Sequence, residues 1–196
     1  KILDVPVFYL PTFFHPDPTV KRQSGLLKPE INFSQNLGSS LTLPYYYKLS
    51  ENKDYTLKPI LFDNKYISIQ NEYRETKDNY DFLADFGFVK DYKPNKGIKD
   101  KKNFGHLFAR LNYDLNFDDY NTSKLFLNIE KVNNDSYLPL FKTHVANSKA
   151  KPSDINILNN KLELVLNKND YNLNTGIQSY ERIGTRKSDR YQFVLP

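Results

Sequence analysis

The chain has 196 residues, enough for one ordinary domain. Its mean hydropathy is -0.68, and Lys, Asn or Asp interrupts every apolar stretch within a few positions, which excludes a spanning helix of roughly 18 or more apolar residues. The 15 Tyr and 14 Phe exclude a disordered composition, the absence of Cys excludes thiol chemistry and disulfides within this sequence, and 28 basic against 23 acidic residues is too mild an excess to single out an anionic partner.

Lys1 opens directly on strand-like sequence, there is no Met, and Tyr191 to Leu195 again reads as a strand, so the sequence reads as an interior piece of a longer chain. Between these ends the dominant pattern is period two, the mark of strands with chemically different faces. Runs over Tyr55 to Phe62 and Tyr66 to Arg74 are weak copies. In Tyr80 to Tyr92, Phe82, Ala84, Phe86 and Phe88 fall on one face, and Asp81, Asp85 and Asp91 share the other with Leu83, Gly87 and Val89. From Phe104 to Phe117, Leu107, Ala109, Leu111, Tyr113 and Leu115 oppose His106, Arg110, Asn112 and Asp114. Further along, Leu125, Leu127 and Ile129 oppose Lys124, Asn128 and Glu130, and Leu162, Leu164 and Leu166 oppose Lys161, Glu163 and Asn167. A last weak copy covers Tyr171 to Tyr180. The expectation is about ten antiparallel strands from Leu26 onward and no helix.

Turn residues separate the runs. Asn36-Leu37-Gly38, Asp63-Asn64, Asn79, Asp118-Asp119 and Asn167 to Asp170 tolerate positive φ or cap turns with their side chains. Short connections at Ser50 to Lys53, Glu75 to Asn79, Asp118 to Asn121 and Lys168 to Asp170 alternate with long ones at Lys93 to Lys102, Asn133 to Asn159 and Glu181 to Asp189. Short turns at one end and long loops at the other are the habit of outer-membrane barrels, although two early hairpins are short on the long-loop side. Strand composition leaves two architectures open, since a soluble β-sandwich alternates as well.

The stretch Val5-Pro6-Val7-Phe8-Tyr9-Leu10-Pro11, followed by His15-Pro16-Asp17-Pro18 and Lys21-Arg22-Gln23-Ser24-Gly25, resembles the LPS-assembly protein family, LptD, also called the organic-solvent-tolerance family. The likeness continues through Gly25-Leu26-Leu27-Lys28-Pro29, Leu43-Pro44-Tyr45-Tyr46-Tyr47 and Lys131-Val132-Asn133-Asn134-Asp135-Ser136-Tyr137-Leu138, in the family's order, over about two thirds of the chain. After Asn147 no motif matches. The resemblance implies that residues 1 to about 14 end a periplasmic β-jellyroll, that 15 to about 24 form the hinge, and that the rest, 25–196, begins a transmembrane β-barrel. It implies translocation of lipopolysaccharide and its insertion into the outer leaflet through a seam between the barrel's first and last strands. The partners it implies are lipopolysaccharide, an LptE-like plug lipoprotein and, through an N-terminal domain outside this sequence, an LptA-like periplasmic bridge. Pro29 in the first barrel strand and Pro44 in the second match the family's seam prolines.

Proline has no N–H for a ladder, so each of these two removes a hydrogen bond where the resemblance implies that pairing opens; taken alone, they read first as the prolines of bulges at ordinary sheet edges. The alternation assigns Phe82, Phe86, Phe88, Leu107, Leu111, Leu125, Leu127, Leu162 and Leu164 to lipid, and Asp81, Asp85, His106, Arg110, Asn112 and Glu130 to the lumen. Other chemistry is unmotivated. His15, His106 and His144 lack metal-ligand spacing, no glycine-rich loop or nucleophile elbow occurs, and Asp118-Asp119 faces opposite ways on any strand, so neither cofactor nor catalysis is expected. The six Lys from Lys90 to Lys102 form a solvated loop, placed by the resemblance at the cell surface near LPS phosphates, and no nucleic-acid motif accompanies them. The competing function is a secreted sandwich that binds carbohydrate on an exposed aromatic face.

Overall fold

The computed structural model describes residues 22–63, 66–93 and 102–196. The blocks expected to end the jellyroll and most of the hinge, with His15, lie outside the described residues, as does most of the lysine-rich loop. The strands are β1 (Gly25–Leu26), β2 (Glu30–Ser34), β3 (Gly38–Thr42), β4 (Tyr45–Ser50), β5 (Lys53–Phe62), β6 (Ile67–Lys77), β7 (Tyr80–Tyr92), β8 (Lys102–Asp114), β9 (Thr122–Val132), β10 (Ile157–Lys168), β11 (Tyr171–Arg182) and β12 (Tyr191–Val194). They form one antiparallel sheet in the order β1-β4-β5-β6-β7-β8-β9-β10-β11-β12, with β2 on β3 and β3 on β5. Because β3 and β4 both pair with β5, they are two halves of one strand, and β1 and β2 are likewise halves of the strand beside it. The meander therefore runs over ten strand positions. The sheet is open in this chain, and no second sheet packs on it among the described residues, as a sandwich would require.

Two helical turns depart from the all-strand expectation: α1 (Tyr137–Phe141) and a 3₁₀ turn at Lys187–Asp189. Helix α1 belongs to the connection 133–156, which folds back onto one face of the sheet. Asn133 pins its start, donating from its amide N to the Gly105 carbonyl (3.1 Å) and accepting from the Gly105 N–H at its side-chain oxygen (2.8 Å). Pro139 sits in the first turn of α1, where its missing N–H costs nothing. Tyr137, Leu138, Phe141, Val145 and Ala150 then bury themselves against Phe62, Tyr92, Phe104 and Phe108, in a stack where the Tyr137 and Phe141 rings lie 5.1 Å apart and Phe104 and Phe141 5.7 Å apart. Each such ring is worth about 2 kcal/mol over leaving it in water.

Register makes the two sheet faces opposite in character. On the covered face Ser68 meets Val89, Glu72 meets Asp85, and Asp85 meets Phe108, and these side chains are buried. The bare face carries Leu61, Ile67, Phe86, Phe88, Leu107, Leu162 and Ile177, all exposed. Phe86 pairs with Leu107, and Leu127, Leu162 and Ile177 form one cross-strand row. The polarity of a water-soluble sheet is thereby inverted: apolar side chains are bare and carboxylates are buried. Asn71 is one polar side chain on the bare face, and its amide is satisfied by the Tyr55 hydroxyl and the Phe86 carbonyl.

Candidate functional site: the broken strands and the covered face

The first two strand positions are interrupted at one level of the sheet. Glycine 25 and Leu26 pair with Tyr46 and Tyr45, pairing resumes at Glu30 with Thr42, and Pro29 lies in the gap. The register sum changes by one across that gap, from 26 with 45 to 30 with 42, so one extra residue is looped out as in a bulge. Pro44 lies in the second gap, between Thr42 and Tyr45, although the register to β5 is the same on both sides of it. Only single bonds bridge these gaps: Leu27 N–H donates to the Pro44 carbonyl (2.8 Å), and Leu43 N–H donates to the Pro59 carbonyl (3.1 Å). An antiparallel pair normally exchanges two bonds, and in both cases the return donor is a proline nitrogen.

On the covered face, Asp85 and His106 come together although 21 residues separate them. His106 Nε2 lies 2.8 Å from an Asp85 carboxylate oxygen and Nδ1 lies 2.6 Å from the Tyr137 hydroxyl. A carboxylate only accepts, so Nε2 carries the hydrogen and, in the neutral ring, Nδ1 accepts from Tyr137. The ring stacks on Phe108 at 4.5 Å. Gly87 stands opposite His106 in register, and a Cβ there would lie 2.8 Å from the imidazole Cε1, so the glycine makes the space the ring occupies. His106 is only 6% exposed and Asp85 only 4%. A proton could pass within this group, yet it is sealed beneath α1; its geometry is that of a latch between sheet and loop.

The other residues expected on this face are dispersed. Glu130 is buried, accepting from the Asn159 N–H (2.7 Å) and the Asn128 amide (3.2 Å). Arg110 is exposed and donates to the Lys151 carbonyl of the folded connection (3.1 Å). Asp81 and Asn112 pair in register and are exposed near the short-turn end. The expected apolar-face residues Phe82, Leu111, Leu125, Leu127 and Leu164 are half-buried among their neighbours. His144 reaches the second strand position, its Nε2 3.0 Å from the Ser40 hydroxyl; burial holds its imidazole down at about 4. Beyond the sheet's edge, Arg190 donates to both Asp135 oxygens (3.1 and 2.7 Å) and to Glu181 (2.8 Å), tying the connection's start to the end of β11. Arg190 holds the Asp135 carboxyl below its ordinary range.

Sequence reasoning did not single out three features. One is Pro59, visible as a proline inside the Tyr55 to Phe62 run. Another is Tyr137, which had no periodicity around it to mark it as buried. The third is a tyrosine belt on the bare face at the short-turn end: Tyr47, Tyr55 and Tyr73 stand in one cross-strand row, and Tyr80 stacks on Tyr113 two rows beyond (5.8 Å). Its signal was Tyr recurring near one end of successive strands.

No family model matches the chain. Among curated proteins it is similar to the LPS-assembly protein LptD of Idiomarina loihiensis, 32% identical over 152 residues that cover 74% of this chain and 18% of that protein. It is also similar to the LPS-assembly protein LptD of Psychrobacter cryohalolentis, 38% identical over 80 residues (41% of this chain, 8% of that protein), and of Pseudoalteromonas translucida, 34% identical over 89 residues (45% and 12%). The matches thus span less than a fifth of the length of these relatives. Over the stretches matched, they support membership of the chain in the LPS-assembly protein LptD family.

Proposed function

We propose that residues 25–196 are the first strands of an outer-membrane β-barrel that carries lipopolysaccharide through the outer membrane into its outer leaflet, with Pro29 and Pro44 at the seam where the lipid leaves. The observation that carries the membrane part is the inverted sheet: bare Phe86, Phe88, Leu107 and Leu162 on one face, bounded by the tyrosine belt, and buried Asp85, His106 and Glu130 on the other. Lipid is the solvent that suits such a face, and girdles of aromatic residues mark the interfaces of transmembrane barrels. The covered face is then the lumen side, the short turns are periplasmic, and 133–156 is a surface loop folded inward. The similar proteins are named for LPS assembly, and the role is transport rather than catalysis. Lipopolysaccharide, a plug lipoprotein and a periplasmic bridge are the partners that follow from this reading.

Proline breaks suit a seam because an unmade ladder bond in hydrocarbon is costly to replace, so pairing there starts out weak. The test is replacement of both Pro29 and Pro44 by valine in the full-length protein, with surface LPS and folded barrel measured together. Export should fall while folded barrel stays normal. Normal export from a well-folded double variant would remove the seam role, and loss of folded protein would make the prolines shape-setting bulges.

A further inference from the structure

At its short-turn end the bare face carries a carboxylate. Glu75 stands between Lys53 and Phe82 in one cross-strand row, and its side chain is only 12% exposed. It accepts from the Tyr73 hydroxyl (2.7 Å) and the Tyr80 hydroxyl (2.6 Å), and the ammonium groups of Lys53 and Lys77 lie 3.1 and 3.7 Å from one of its oxygens. Lys77 also lies over the Tyr80 ring, 5.2 Å from its centre. The tyrosines therefore hold the carboxylate, and the carboxylate draws two lysines to the rim of the apolar face, where 38% and 48% of their side chains stay exposed. Glu51, in the adjoining turn, pairs with Lys48 instead. Two cations share one anion, which leaves the three groups with a net positive charge, and each ammonium has three hydrogens to donate, more than Glu75 can take.

From this arrangement we infer that Lys53 and Lys77 bind the phosphate of an anionic glycerophospholipid in the inner leaflet, with Glu75, Tyr73 and Tyr80 as the residues that position them. The inference rests on the membrane reading above, which puts this end of the strands at the periplasmic interface, and it adds which lipid borders β5 to β7. A phosphodiester is the anion found at that depth, just beyond the apolar rows, and lysine meets phosphate as a point charge. A zwitterionic lipid suits the site less well, because its own ammonium would meet the two lysines. Lys168 is the internal comparison. It ends β10 at the same end, shares the parity of bare Leu162, and lies over the Tyr120 ring at 5.9 Å. Its carboxylate partner Asp119, however, is 3.8 Å away and 85% exposed, so Lys168 is a lysine that snorkels to water with no surrounding side chains to fix it.

The experiment places the full-length protein in phosphatidylcholine nanodiscs, with and without phosphatidylglycerol, and follows lysine acetylation by a water-soluble reagent residue by residue in a mass spectrometer. Phosphatidylglycerol should slow acetylation of Lys53 and Lys77 several-fold more than that of Lys168. Glu75→Gln makes the group more positive yet releases the two lysines, so their protection should drop to the level of Lys168. Protection that persists or grows in this variant would mean that charge alone attracts the lipid, and would overturn the built site. Should the variant not fold, the comparison with Lys168 in the unmodified protein decides. Equal slowing at all three lysines, or none, would overturn the site, while entry of the protein into the nanodiscs would leave the membrane reading standing. Stronger protection by lipopolysaccharide than by phosphatidylglycerol would overturn the choice of lipid. Failure to enter the nanodiscs would sink the membrane reading, and the site with it.

Discussion

Strands β7 and β8 and the strands of residues 25–50 belong to one sheet yet are held in opposite ways. From Tyr80 with Tyr113 to Val89 with Phe104, β7 and β8 pair without a shift, contain no proline, and present Asp85, His106 and Phe108 to a folded connection that packs on them. Residues 25–50 hold no unbroken strand longer than six residues, and Leu26, Ile31 and Phe33 stand bare. Cohesion is therefore graded across the sheet: side-chain packing and a continuous ladder reinforce each other in the middle, whereas among residues 25–50 proline removes ladder bonds and only Leu37, Ser40, Thr42 and Pro44 are buried. The proposed seam lies at the low end of that gradient.

The comparison breaks most readily at His106. His106→Ala leaves the Asp85 carboxylate buried without its cross-strand partner and the Tyr137 hydroxyl without its acceptor, a loss of about 3 to 5 kcal/mol for breaking a buried pair from one side. Denaturant titration of the detergent-folded protein should register it. Gly87→Val should act in the same direction, because the new side chain must displace the imidazole. Next in size are the two faces: Leu127→Arg should cost about 2 to 4 kcal/mol when the residue meets lipid, whereas Asn128→Arg, one residue along on the polar face, should be nearly neutral. Equal tolerance in a bilayer refolding assay would contradict the face assignment. Tyr137→Phe removes one hydrogen bond and keeps the ring stack, so about 1 to 2 kcal/mol should be lost, all of it in release of the connection rather than in the sheet, as proteolysis of 133–156 would show.

The smallest effect is pH-dependent. His144 ionises near 6.5 in a released connection and at about 4 when docked against Phe62, Phe141 and the Ser40 hydroxyl. The released form then binds more protons between those values, so docking is fully stabilised above about 6.5 and weakens as pH falls toward 4. Hydrogen exchange at Val145 should quicken over that window, and His144→Phe should flatten the dependence.

Period-two alternation was enough to read β7 to within its ends and to assign Asp85 and His106 each to the polar face of its strand, but only the register, Gly87 opposite His106, brings the two side chains together. Alternation carries no information about which residues of neighbouring strands meet. The sequence from Asn133 to Asn159 reads as a long loop because Tyr137-Leu138-Pro139-Leu140-Phe141 is too short for helical periodicity, and the burial of that turn depends on a groove built by side chains of β5, β7 and β8. Pro29 and Pro44 were legible as breaks because proline chemistry is local. The meaning of Pro59 was not: whether it weakens the ladder to β4 or the ladder to β6 is set by strand parity, which the Leu43 to Pro59 hydrogen bond fixes.

Graded cohesion is tested most directly by residue-resolved hydrogen exchange of the full-length protein in bilayers, comparing amides of 25–50 with those of 80–92 and 102–114. The account predicts that Leu27, Leu43 and their neighbours exchange far faster than Asp85, Gly87 and His106, and that Pro29→Val with Pro44→Val narrows the difference. Equal protection of the two regions in the unmodified protein would contradict it.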